Sequence, residues 1–151
     1  MKFRYINSDN YSLKKRSKKN IKFIVLHYTG MQSEAVSIKR LISKKHKVST
    51  HYLVSRNGSI IKMVDEKNIS WHAGVSRWKN IKNLNYNSIG IEIVNKGHQF
   101  GYKNFPKIQI SKLIMLCRLL MNKYKIKSSN LLGHSDIAPL RKKTPEKNFH
   151  G

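Results

Sequence analysis

The chain has 151 residues, a length that suits one domain, and sets 31 lysines and arginines against 7 acids for a formal charge of +24. An apolar fraction of 39% is low for a globular fold but above the disordered regime, so a core can be buried without covalent staples. A single cysteine, Cys117, excludes an intramolecular disulfide framework and a Cys-rich zinc finger. No stretch reaches the roughly 18 apolar residues of a membrane span, and residues 1–20 carry too many charges for a signal-peptide core. A cytoplasmic monomer is the resulting expectation, with export by another route left open. The charge raises polyanions as partners through counterion release. Lysine, isoleucine and asparagine are all in excess and share AT-rich codons, however, so genome composition explains the charge equally well. Only Lys14 to Lys19 looks like a basic arm, and without interleaved aromatics no specific nucleic-acid site is expected.

In chain order, residues 1–20 are polar, basic and aperiodic, and read as a loosely attached leader before a domain spanning 21–151. Ile21 to Tyr28 (IKFIVLHY) is short, rich in β-branched residues and closed by Thr29-Gly30, which predicts a buried strand. Ser33 can cap a helix from Glu34, with Ala35, Ile38, Leu41 and Ile42 at helical spacing and Lys44, Lys45, His46 and Lys47 near its negative end. Two β-rich runs, Thr50 to Ser55 and Ser59 to Val64, flank Arg56-Asn57-Gly58, where Asn-Gly supplies the positive φ angles of a tight hairpin. Residues 65–87 hold Trp71, His72, Trp78 and many asparagines without a sustained period, and read as a long functional loop. Asn87 to Asn95 (NSIGIEIVN) is the next strand. From about Pro106 to Tyr124, Ile110, Leu113, Ile114, Cys117, Leu120, Met121 and Tyr124 form the stripe of a long helix packed on the sheet. Leu131 to Gly133 starts a short final strand or turn. The order of elements implies a single α/β domain, a mixed central β-sheet flanked by helices.

His27 falls at the carboxyl end of the first long strand, the edge where open α/β sheets place ligands. His134 follows Leu131-Leu132-Gly133 in a comparable position. Two strand-end histidines converging on one face would make a pair of imidazole ligands for zinc; taken singly, each reads first as a hydrogen-bonded histidine at a strand terminus. Glu92 interrupts the apolar run Ile89-Gly90-Ile91-Glu92-Ile93-Val94 in a chain with only four glutamates. It is either an outward-facing strand residue or a carboxylate held beside a cation, where it can orient water and move protons. Lys142, in Arg141-Lys142-Lys143, reads by itself as part of a solvated basic run.

Taken together, FIVLHYTG at 23–30, STHYLVSRNGSI at 49–60, SWHAG at 70–74, NSIGIEIVN at 87–95 and GHSDIAPLRKKTP at 133–145 resemble the zinc-dependent N-acetylmuramoyl-L-alanine amidase family, the type-2 amidase fold shared with peptidoglycan recognition proteins. The resemblance spans roughly 21–149. It implies cleavage of the lactyl amide between N-acetylmuramic acid and L-alanine in peptidoglycan or muropeptides. It further implies Zn2+ held by His27 and His134, Glu92 as the carboxylate that activates or steadies the attacking water, and Lys142 as the cation facing the oxyanion. His72, Trp71 and Trp78 would lie in the loop that helps form the groove for glycan and stem peptide, core packing being the equal alternative for the tryptophans. His51 would support the site. One position departs from the pattern: the third zinc ligand, an aspartate or cysteine ten residues after the second histidine, is Thr144 here. A neutral hydroxyl offers a divalent ion little compared with carboxylate or thiolate. Glu146, two residues on, is a candidate substitute, and Asp136 is expected to brace the loop. The alternative function is therefore a non-catalytic muropeptide-binding or decayed amidase.

Overall fold

The computed structural model describes residues 1–96 and 104–133. Their strands are β1 (Arg4–Tyr5), β2 (Tyr11–Ser12), β3 (Phe23–Tyr28), β4 (Tyr52–Val54), β5 (Ile60–Lys62), β6 (Ile69–Ser70), β7 (Arg77–Trp78), β8 (Ile81–Lys82), β9 (Ser88–Ile93) and β10 (Leu131–Gly133), with helices α1 (Glu34–Ile42) and α2 (Lys107–Tyr124). Six strands form one sheet in the order β1-β5-β4-β9-β3-β10, while β2 pairs with β6 and β7 with β8 in separate ribbons. Every pairing in the main sheet is parallel except β4 with β5, so the expected mixed sheet is present.

Alternation of side chains divides the two central strands cleanly between the faces. Ile24, Leu26 and Tyr28 of β3 and Ile89, Ile91 and Ile93 of β9 share a core with Leu113, Leu116, Cys117 and Leu120 of α2. Phe23, Val25 and His27, with Ser88, Gly90 and Glu92, occupy the opposite face, where Phe23 and Val25 pack with Ala73, Leu84 and Leu132. The α2 stripe differs from expectation at its margin. Leu116 is fully buried, whereas Ile114 is 42% exposed, because the contact line runs through 113, 116, 117 and 120. Gln109, buried in the first turn of α2, donates its Nε2 protons to the carbonyls of Val54 and Val94 and so ties the helix to the ends of β4 and β9.

In α1, the Ser33 hydroxyl accepts from the Val36 N–H as the cap reading requires. The buried face is Ser37 and Leu41, with Ile38 partly covered. The β4–β5 hairpin forms with one change. Gly58 alone has positive φ, at 90°, and donates its N–H to Ser55, while Asn57 stays in ordinary space and accepts from Ser59 through its side chain. The longer loop from Ser55 to Ser59 relaxes the demand for two left-handed residues.

The first twenty residues correct an expectation, because they are bound into the fold. β1 extends the sheet along β5, and β2 pairs with β6. The buried Ser8 hydroxyl donates to the carbonyl of Leu41, and the buried Asn10 amide donates to that of Ser43, satisfying the carboxyl end of α1. The Arg16 guanidinium reaches the carbonyls of Glu66, Asn85, Tyr86 and Ser88 at 2.7–3.2 Å. Its burial lowers its pKa to about 10. Residues 65–87, expected to be one irregular loop, contain β6, β7, β8 and a short 3-10 turn at Leu84–Asn87.

Candidate active site

In the parallel register of β3 against β9, His27 lies directly beside Glu92, and Glu92 lies in turn beside Leu53 of β4. Both site residues are penultimate in their strands, so the carboxyl ends of the two central strands deliver an imidazole and a carboxylate to one face. His27 is 1% exposed and Glu92 is half-buried. A cavity of about 650 Å³ opens over these ends, a size that suits a small ligand, and is lined by Glu92, His72, Trp71, Thr29, Arg40 and Lys47 among others.

His72 stands closer to His27 than its sequence separation of 45 suggests, with Nδ1 3.1 Å from the Nε2 of His27 and the rings nearly perpendicular. Its other nitrogen lies 3.0 Å from the Ser88 hydroxyl, which donates to the carbonyl of Leu84 at 2.6 Å. The His72 ring can sit there only because residue 90 is glycine. A Cβ on Gly90 would fall 2.3 Å from His72 Cγ. From behind, the Asn85 side chain accepts from the backbone N–H groups of His72 and Ala73 and fixes the loop.

His51 belongs to this support. Its Nδ1 accepts from the Gly90 N–H at 3.0 Å and its Nε2 donates to the carbonyl of Asn68 at 2.8 Å, a pattern that only the neutral ring satisfies. Burial, aided by the Arg16 guanidinium, lowers its pKa to about 3. Thr50 adds a hydroxyl donor to the Gly90 carbonyl, so both backbone polar groups of Gly90 are held. Trp71 is half-buried at the cavity and exchanges hydrogen bonds with Ser49, whereas Trp78 packs against the cluster of Phe23, Val25, Ala73, Leu84 and Leu132. Of the two tryptophans, then, only Trp71 is placed among the cavity-lining residues named above.

Sequence reasoning did not find Asn85, Ser88 or the cluster around Glu66. The Glu66 carboxylate is buried against the hydroxyls of Tyr52 and Tyr124 and the Lys123 ammonium. Burial alone would raise its pKa, but donors from Tyr124, Tyr52 and Lys123 outweigh it and lower the value. Gly90, an isolated glycine in an isoleucine-rich strand, was the available signal for a close approach from above. His134, Asp136, Lys142, Thr144 and Glu146 lie outside the described residues. Among the described residues no three histidine, cysteine or carboxylate groups converge on one point.

His27 and its register partner Glu92 thus stand at strand ends, with Glu92 lining the cavity. Residues 17–147 match the profile of a family described as N-acetylmuramoyl-L-alanine amidase. The chain belongs to that family. It is 39% identical over 137 residues to the N-acetylmuramoyl-L-alanine amidase AmiD of Escherichia coli, covering 83% of this chain and 49% of that protein. It is 30% identical over 164 residues to the 1,6-anhydro-N-acetylmuramyl-L-alanine amidase AmpD of Haemophilus influenzae, covering 97% of this chain and 86% of that one. Against AmiD the chain therefore spans about half the relative's length. Among solved structures, a complex of E. coli AmiD with the substrate anhydro-N-acetylmuramic acid-L-Ala-D-gamma-Glu-L-Lys superposes with a TM-score of 0.74 at 35% identity, covering 87% of this chain and 55% of that one. A selenomethionine derivative of AmpD gives a TM-score of 0.83 at 25% identity, covering 98% and 92%. The type-2 amidase fold inferred from the motifs is thus the fold of this amidase-family chain, and no helix among its described residues is long and apolar enough to cross a membrane.

Proposed function

We propose that this amidase-family protein hydrolyses the amide between the lactyl group of N-acetylmuramic acid and L-alanine in peptidoglycan or released muropeptides, with zinc as its cofactor. The observation that carries the reading is the register pairing of buried His27 with Glu92, which lines a ligand-sized cavity, in a chain whose relative AmiD is solved with a muropeptide substrate. The donors fit the ion. His27 is a buried imidazole whose ring is held by a neighbouring imidazole, the arrangement that orients a zinc ligand. Gly133 pairs with Leu26, the residue before His27, and the next residue along the chain is His134, the expected second ligand. Position 144 completes the expected set. A zinc ion held there would supply a Lewis acid for the scissile carbonyl and would acidify a bound water toward a pKa of about 7.

The chain's own groups supply the rest. Glu92 accepts a proton from the attacking water as oxygen bonds to the carbonyl carbon, then returns it to the alanine nitrogen as the C–N bond breaks. Lys142 offsets the negative charge that develops on the carbonyl oxygen. The products are a lactyl carboxylate and a free amine, so the atoms of one water balance the reaction. Arg40 and Lys47 place positive charge at the cavity rim, suited to the carboxylates of a stem peptide.

A second reading follows from Thr144: a chain that binds muropeptide without cutting it, because two neutral imidazoles leave the metal charge uncompensated. One experiment separates the two. Purified full-length protein is assayed for metal content and for release of peptide from an N-acetylmuramoyl peptide, before and after chelation. Up to one zinc per chain and chelator-sensitive hydrolysis are expected, both lost in His27→Ala and His134→Ala. Saturable binding of the muropeptide without hydrolysis supports the second reading, and hydrolysis by metal-free protein refutes the zinc mechanism.

A further inference from the structure

Hydrogen-bond directions along the chain of groups behind His27 leave little freedom. The Leu84 carbonyl can only accept, so the single proton of the Ser88 hydroxyl, 2.6 Å away, is committed to it. Ser88 Oγ must then accept from His72 at 3.0 Å, which puts a proton on His72 Nε2. A neutral His72 so protonated presents a lone pair at Nδ1, and the atom facing that lone pair at 3.1 Å is His27 Nε2. His27 Nε2 is therefore the donor, and the lone pair of the neutral His27 ring resides on Nδ1.

We infer that His72 is a positioning residue of the metal centre, the end of a Leu84–Ser88–His72 relay that fixes the tautomer of His27 and selects its Nδ1 as the ligating nitrogen. This inference rests on the zinc reading above and deepens it, assigning to His72 a role other than substrate contact. Metal-bound histidines commonly donate their second ring N–H to an acceptor that sets ring orientation and raises ligand basicity. Carboxylates and carbonyls do this most often; here a second imidazole stands in, and it needs its own acceptor to have a defined direction. The surroundings hold that direction. The ring lies against Gly90, where no Cβ could be admitted, and its backbone N–H is bound to Asn85. One segment, Leu84 to Glu92, thus carries the terminal carbonyl, the hydroxyl, the glycine floor and the carboxylate beside His27.

The test uses the full chain and three variants, His72→Phe, His72→Gln and Ser88→Ala, each checked for cooperative unfolding. The readouts are zinc affinity by chelator competition and the His27 tautomer by long-range 1H–15N NMR of the metal-free protein. The wild type should show His27 protonated at Nε2. His72→Phe keeps the ring's bulk but removes the acceptor, so it should mix the His27 tautomers and weaken zinc binding roughly 10- to 100-fold. His72→Gln, whose amide oxygen can accept, should recover much of the loss, and Ser88→Ala should give a smaller loss of the same kind. If His72→Phe fails to fold, Ser88→Ala carries the comparison. A wild-type His27 protonated at Nδ1 would overturn the inference. So would zinc affinity within twofold of wild type in His72→Phe, or a rise in KM alone, which would make His72 a substrate contact. If the wild type binds no zinc, the zinc reading fails by itself, while the metal-free spectra still decide what His72 does to His27.

Discussion

Replacing Gly90 by alanine perturbs the site from beneath by a single methyl group. The new Cβ would lie 2.3 Å from His72 Cγ, 2.6 Å from Cδ2 and 2.7 Å from Nδ1, whereas ordinary contact begins at 3.4 Å. The ring must retreat by about 1 Å, and it has nowhere easy to go: its backbone is bound to Asn85, its Nε2 to Ser88 and its Nδ1 to His27. A retreat of that size takes the 3.1 Å contact with His27 beyond hydrogen-bonding distance. Overpacking of this kind costs about 1–3 kcal/mol, and a lost buried hydrogen bond adds about 1 kcal/mol. For a chain of this length the sum corresponds to a fall in Tm on the order of 10 °C. Thermal unfolding followed by circular dichroism reads it directly. The decisive comparison is the double variant with His72→Ala, in which the methyl occupies space the ring has left. Its destabilisation should fall short of the sum of the single effects by about 1 kcal/mol or more. A Gly90→Ala protein that unfolds at the wild-type temperature, or strictly additive effects, would show that the ring does not rest on residue 90.

Further outcomes test the chemistry and its electrostatic setting. Glu92→Gln keeps the side chain's shape and should lower kcat roughly 100-fold or more with zinc content unchanged; wild-type turnover would return Glu92 to a structural role. Thr144→Asp supplies the charged ligand that the family pattern places there and should tighten zinc binding roughly 10- to 100-fold with activity rising in parallel. If neither changes, position 144 is not at the metal. Acid should destabilise the fold well before ordinary carboxylates titrate, because His51 is held neutral with a folded pKa of about 3 against 6.5 when unfolded. Between those values the unfolded chain binds the extra proton, so stability is complete above pH 6.5 and falls as pH drops, with a limiting slope of about 1.4 kcal/mol per unit. Glu66, whose folded pKa is lowered, contributes in the same direction at lower pH. Urea unfolding of wild type and His51→Gln from pH 7 to 4 checks this, and equal slopes would refute it.

What the sequence disclosed follows from which forces leave a periodic trace. β3, β9, α1 and α2 were legible because burying one face imposes alternation or a helical stripe, and the strand-end position of His27 came with them. The pairing of His27 with Glu92 needed a parallel register that no local pattern encodes. The first twenty residues escaped because two-residue strands have no period and Arg16 is held by backbone carbonyls, acceptors that every sequence possesses. The contact of His72 with His27 crosses 45 residues and leaves one trace, a glycine where an isoleucine strand has no other reason to place one.

The order of strands in the sheet also governs how the chain can fold. Only α1 separates β3 from β4 in the chain, yet the two strands do not pair, because β9 inserts between them and hydrogen-bonds to both. Until residues 88–93 exist, His27 has no parallel neighbour on that side, Arg16 lacks the Ser88 carbonyl, and the cavity has no Glu92. Closure of these non-local contacts is slow relative to helix formation, and here one strand performs it for core and site together. A nascent chain shorter than this point cannot hold the His27–Glu92 pair, so the strand that joins the two halves of the sheet also brings the carboxylate to the cavity.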